Sequence, residues 1–176
     1  MQGYEDVTLY ELSPEREREL LDKQIECNFI WTNKEGHGLG VIMNYIARDG
    51  SIWLTATRQR ARIKALRRDP RASVVISSMG TDMGPGKQIT YKGRVNLHED
   101  QATKDWFYPA MAEIISPYPA PTVEAAVEYL DTPLRVIIEL VPEKVIRFDG
   151  DSIAKASHEG TVPGAPANTA VTEETQ

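Results

Sequence analysis

Between Thr55 and Arg71 the chain concentrates side chains suited to holding an anion. Thr55 and Thr57 place hydroxyls at the end of an apolar stretch. Arg58, Arg60, Arg62, Lys64, Arg67, Arg68 and Arg71 follow against a single acid, Asp69. A guanidinium presents a planar fork of donors that matches phosphate oxygens. A helix starting at Gln59 would add free backbone N–H groups and the positive end of its dipole. Four-residue spacing then sets Arg58 with Arg62 and Arg60 with Lys64 on shared faces. A solvated basic helix is the competing reading of this run; the hydroxyl-bearing strand end brings a phosphate site level with it.

The rest of the composition narrows the partners. The net charge of −6 argues against a general nucleic-acid binder, which needs a basic surface, so the basic patch suits one specific anionic ligand. The best apolar run, Val136 to Val141, is interrupted by Glu139 and is too short to span a bilayer. Cys27 is the only cysteine, which excludes an intrachain disulfide and a cysteine metal cluster. With a polar, acidic start from Met1 to Val7, this predicts a cytoplasmic protein. His37 falls at a hairpin tip, His98 reads as a surface residue and His158 lies near the C-terminus, a scatter that makes no metal site. Ser77 and Ser78 have no histidine at a suggestive spacing, so a hydrolase is not indicated.

The elements that must position the basic run are legible from patterning. Ser13-Pro14-Glu15 starts a helix that runs to about Glu26. Cys27 to Thr32 reads as a strand and Asn33 to Gly38 as a hairpin turn. Leu39 to Ile46 is nearly all apolar, the pattern of a strand buried on both faces. Ser51 to Thr57 alternates, with Ile52, Leu54 and Ala56 on one face. After the short helix from Gln59 to Arg68 come strands at Ala72 to Ser78 and Gln88 to Leu97, with Gly93 marking a bulge or close approach. Helices at about Asp100 to Ile115 and Thr122 to Leu130 precede a strand from Leu134 to Val141, continued by Val145 to Phe148. This order predicts one mainly β domain over residues 1–150, an antiparallel barrel with peripheral helices. Asp151 to Gln176, rich in Ala, Thr, Gly, Pro and Glu, reads as a mostly disordered tail.

Leu54-Thr55, then Arg60-Ala61-Arg62-Ile63-Lys64-Ala65-Leu66-Arg67-Arg68-Asp69-Pro70-Arg71, resembles the signature of the pyridoxamine 5′-phosphate oxidase-like superfamily. There a strand ending in Thr leads to a phosphate grip and a helix ending Arg-Arg-Asp-Pro-Arg. Gly40-Val41-Ile42-Met43-Asn44 is similar to the strand that lies along the flavin ring in that family. Lys87-Gln88 with Tyr91-Lys92-Gly93-Arg94-Val95 looks like its Arg-Gln…Gly-x-Val strand.

The resemblance implies a split β-barrel that dimerises with two cofactors at the interface. It implies a grip at Arg60, Ala61 and Arg62 when Leu66 anchors the alignment, shifted by one residue when Thr55 does. Val41, Ile42, Met43, Asn44, Thr55, Thr57, Arg60, Arg62, Lys64 and Gln88 are the cofactor-binding candidates. Gln88 stands where the vitamin B6 oxidases contact flavin, and the second subunit can supply it. Asn44 replaces their Lys, and their C-terminal Trp- and Arg-bearing segment has no match, which argues against pyridoxamine phosphate oxidation itself. The implied cofactor is FMN or the deazaflavin coenzyme F-420, both open. The implied activity is hydride transfer to or from a small planar substrate, with no side-chain catalyst indicated. The alternative is a non-catalytic flavin or haem carrier.

Overall fold

The computed structural model describes residues 9–159. Ser13 caps α1 (Pro14–Lys23) by accepting from the Arg16 N–H at 3.3 Å. Pro14 occupies the first position, where no hydrogen-bonding N–H is needed, and Leu20 is the buried contact of the helix. Strands β1 (Glu26–Thr32), β2 (Gly38–Asn44), β3 (Ile46–Arg48) and β4 (Ser51–Thr57) follow. After α2 (Ala61–Arg68) come β5 (Arg71–Ser77) and β6 (Lys87–His98), then α3 (Gln101–Ile115) and α4 (Val123–Leu130). The fifteen-residue β7 (Arg135–Asp149) and α5 (Gly150–Glu159) complete the described chain. No helix among the described residues is long and apolar enough to cross a membrane.

All seven strands join one antiparallel sheet in the order β2-β1-β5-β6-β7-β4-β3. Its two end strands are consecutive in the chain, separated by Tyr45 alone. Opposite edges held within two residues of each other force the sheet to curl shut, giving a split β-barrel. Phe29, Leu54, Val74, Ile76, Ile89, Val136 and Ile138 fill its interior. Outside, α3 and α4 close a second core in which Phe107, Tyr108, Met111 and Leu130 cover Ile137.

The strand covered on both faces is therefore β7, whose Val136 and Ile138 face the barrel while Ile137 faces the helices. The apolar run at Leu39 to Ile46 is instead the edge strand β2 followed by β3. Leu39 and Ile42 are exposed there because no element among the described residues lies over them. Apolar composition alone does not distinguish a strand between two layers from one at an open edge.

Pro142 does not interrupt β7. The β6–β7 register shifts between Lys92 and Gly93, setting Gly93 opposite Pro142, so the residue that lacks an N–H sits at a bulge. His98 is not a free surface residue. Its Nε2 lies 2.9 Å from Glu139 Oε2, and its ring lies 5.3 Å from that of Trp53.

The tail expected from Asp151 begins instead as α5, which covers residues 150–159; residues 160–176 lie outside the described residues. An ionic anchor, invisible to composition, explains the difference. The Lys87 ammonium is 3% exposed and donates to the carbonyls of Met83 and Pro85 at 2.8 and 3.1 Å and to Asp151 Oδ2 at 2.7 Å. Arg16 reaches the same Asp151 oxygen at 3.0 Å, and Ala156 is buried.

Hydrogen bonding from Lys87 is the main influence holding the Asp151 carboxyl below its ordinary range. A depressed folded-state pKa contributes stability above the unfolded value of about 3.9, lost as pH falls through the folded value. Asp151→Asn is thus expected to lower stability near neutral pH by about 1–2 kcal/mol, discounted because Asp151 is half exposed. Urea unfolding at pH 7 and pH 3 checks this: the gap from wild type should narrow at pH 3. Equal gaps at both would show that the pair contributes nothing.

Candidate functional site

Inward-facing Leu54 and Ala56 of β4 fix Thr55 on the opposite, outer face, where its hydroxyl donates to the Val136 carbonyl at 3.0 Å. Next in the chain, the Arg58 N–H bonds the Leu134 carbonyl at 2.7 Å, carrying strand-like pairing past Thr57. The helix consequently begins at Ala61 rather than Gln59, and Arg60 is its N-cap residue without a side-chain cap bond. Arg58 and Arg60 therefore share no helix face with Arg62 and Lys64. Ile63 and Leu66 are buried and lock α2 onto the barrel, which turns Arg62 towards the mouth between β2, β4 and the α3–α4 pair.

There a cleft of about 240 Å³ opens. Met43, Asn44, Thr55 and Arg62 form one side. Met111, Ile115, Pro119, Tyr129 and Leu130 of the helical layer form the other, and Arg135 closes the base. The β4–β7 register sets Arg135 directly opposite Thr57, so two distant segments deliver their guanidiniums to one place. Arg135 also lies under the Tyr129 ring, with Cζ 5.4 Å from its centroid.

Among the described residues no acid lines this cleft. The Nε atoms of Arg62 and Arg135 are both buried without a hydrogen-bond partner among the described residues. Burial foremost, then the charges of Arg60 and Arg135, pulls the Arg62 guanidinium below its usual range. The Tyr108 hydroxyl is likewise buried and unpartnered, its phenol pushed up by burial and then by Asp131, against the opposing pull of Arg135. Desolvated like charges side by side are unfavourable unless an anion joins them. The arrangement is suited to a phosphoryl or carboxyl group.

Of the ten candidates, the structure brings Met43, Asn44, Thr55 and Arg62 together. Val41 packs against the barrel core, and Ile42 points outward, 60% exposed. Thr57 is half-buried beside Arg135, while Arg60, the N-cap of α2, and Lys64 within it are exposed and do not line the cleft. Gln88 is exposed on β6, outside the cleft. The remaining basic residues are engaged elsewhere: Arg58 and Arg67 on Glu99, Arg68 on the Thr32 carbonyl, Arg71 on Asp69. Sequence reasoning missed Arg135 and Tyr129. Their link to Arg62 is a matter of strand register and helix docking, which no local pattern carries.

The profile of the pyridoxamine 5′-phosphate oxidase family matches residues 14–148. No curated protein sequence matches the chain. Among solved structures, a conserved hypothetical protein from Mycobacterium tuberculosis is similar at a TM-score of 0.67 and 18% identity, covering 92% of this chain and 94% of that one. An F-420 reductase is similar at a TM-score of 0.58 and 16% identity, covering 73% and 94%. A heme storage protein from Vibrio cholerae is similar at 0.60 and 9%, covering 76% and 92%. At these identities the likeness establishes the fold, and the family profile extends over the barrel that carries the cleft. Barrel, basic mouth and matched profile coincide on one segment, and the chain belongs to the pyridoxamine 5′-phosphate oxidase family.

Proposed function

We propose that the cleft binds a phosphate-bearing flavin-type cofactor, FMN or the deazaflavin coenzyme F-420, and that the protein is an oxidoreductase acting on a small planar substrate. The observation that carries this reading is the half-buried pair Arg62 and Arg135, whose Nε atoms are buried with no partner among the described residues and face a cleft that no acid of those residues lines. Arg62 and Arg135 would hold the phosphate, with the hydroxyl of Thr55 beside them. Met43 and Asn44 offer backbone and side chain to the ring, and Asn44 is itself held by its amide donating to the Ile25 carbonyl at 3.2 Å. Met111, Ile115 and Leu130 keep water from that face. The cofactor supplies hydride chemistry, and the protein supplies position and electrostatics.

The neighbour named as an F-420 reductase supports a catalytic reading; the heme storage protein keeps a carrier as the alternative. Exposed Leu39 and Ile42 on the open edge strand, together with Gln88 outside its own chain's cleft, support a homodimer in which Gln88 serves the second copy. The buried free thiol of Cys27 suits a reducing cytoplasm.

The test is titration of purified protein with FMN, coenzyme F-420 and haem, followed by absorbance, with sedimentation analysis at each end point. One flavin-type cofactor per chain on a dimer is expected. Saturable haem binding without flavin binding would establish the carrier instead. A monomer that holds its cofactor tightly would remove the shared site.

A further inference from the structure

We infer a second small-molecule site beside the far half of β7, built to take an apolar monocarboxylate. It goes beyond the cofactor reading and does not depend on it. A cleft of about 390 Å³ lies between α1, the β3–β4 turn and the second half of β7. This is within the range of small-molecule sites, about 300–1,000 Å³. Along β7 it begins at Pro142, whereas the phosphate cleft uses Arg135, so the two are separated by roughly 20 Å of strand.

Leu21, Ile52, Pro142 and Val145 supply apolar walls. The polar end is a three-membered cluster. Tyr91, buried in the barrel, donates its hydroxyl to Glu17 Oε1 at 3.1 Å, and Arg147 Nε donates to Glu17 Oε2.

The distribution of open donors and acceptors selects the ligand. Both oxygens of Glu17 are engaged, and Asp49 at the rim is held by Arg48 Nε at 3.2 Å. The terminal nitrogens of Arg147 have no partner among the described residues, and its side chain is about a third exposed. Glu17 thus holds the guanidinium through Nε and leaves its outer fork free, a geometry suited to a carboxylate. Asp49 projects into solvent and Arg48 is committed to it and to the Trp106 ring, 4.2 Å from the ring centroid, so the Arg147 fork is the donor set beside the apolar walls. One negative head with an apolar body is what these walls accommodate.

Titration with straight-chain monocarboxylates of increasing length, and with the matching primary alcohols, tests the assignment by protein-observed chemical shifts and melting temperature. Carboxylates should bind saturably, with affinity rising about fourfold per added methylene until the cleft is filled. The alcohols should bind at least about tenfold more weakly, the scale of one lost charge-assisted hydrogen bond. At about ten times Kd the melting temperature should rise by about 3–6 °C.

Arg147→Met should abolish the preference for carboxylate over alcohol. Ala47→Trp, which fills the cleft from β3 while keeping Glu17, Tyr91 and Arg147 in the chain, should abolish binding of both and keeps the test decisive if the first variant folds poorly. Arg62→Ala should leave carboxylate binding unchanged. Equal affinity for acids and alcohols, wild-type binding in Ala47→Trp, or loss of binding in Arg62→Ala would each overturn the proposal, the last by assigning the ligand to the phosphate cleft.

Discussion

Arg62→Ala and Arg135→Ala are each expected to weaken binding of the phosphate-bearing cofactor by about ten- to a hundredfold, without lowering the melting temperature of the cofactor-free protein. The first half follows from losing a charge-assisted hydrogen bond, about 1.5–3 kcal/mol. The second distinguishes a ligand site from a structural one. A buried charge that had a counter-charge would leave its partner stranded when removed, at about 3–5 kcal/mol. Neither guanidinium has one among the described residues: each Nε is buried and unpartnered there, and the two repel. Removing either should therefore leave the apo fold as stable or slightly more so. Arg60→Ala, at an exposed N-cap without a cap bond, should change affinity no more than about threefold, the scale of a surface charge. Calorimetric titration and thermal melts on the same preparations read both quantities. Unchanged affinity in the Arg62 and Arg135 variants, or a clear loss of apo stability, would remove the phosphate grip from this cleft.

Gly93→Ala should be among the most damaging single-methyl additions to the chain. A Cβ at that position would sit 2.0 Å from the Val141 carbonyl oxygen, 2.8 Å from its carbon and 2.9 Å from Pro142 Cα. All three are backbone atoms of the paired strand, so no side-chain rotation relieves the overlap. The register shift at Lys92 and Gly93 brings the strands this close. A loss of about 3 kcal/mol or more is expected, a fall of roughly 6–12 °C in melting temperature. Gly38→Ala is the control: its nearest neighbour would be Ile30 Cγ2 at 3.9 Å, ordinary contact. Similar melts for the two variants would show that the bulge does not hold β6 against β7 in solution.

Much of the barrel is readable before folding because local chemistry writes it. Ser13-Pro14 announces α1, the alternation of Ile52, Leu54 and Ala56 orients β4, and Gly93 marks the bulge. What is not readable is whatever depends on neighbours brought from afar. The apolar Leu39 to Ile46 segment looks interior because most of its residues are greasy, yet the place of β2 at the end of the strand order leaves Ile42 exposed. Residues from Asp151 onward read as a tail, yet a buried ammonium at Lys87 binds Asp151 in the first turn of α5. The basic run around Arg62 identifies half of the candidate site. The other half, Arg135 with Tyr129, depends on Thr57 meeting Arg135 across the sheet.

That pairing has a consequence for the order of events during synthesis. Arg62 leaves the ribosome long before Arg135, and the β4–β7 ladder from Ile52↔Leu140 to Thr57↔Arg135 cannot close until β7 has emerged. Such non-local pairing makes barrel closure a late step. The cleft therefore does not exist on a growing chain, and the cofactor proposed for it would have nothing to grip until the domain is almost complete. Two guanidiniums must first be brought together against their mutual repulsion, with no ligand to assist. The cofactor should consequently act on the finished barrel alone, slowing its opening while leaving the rate of its formation unchanged.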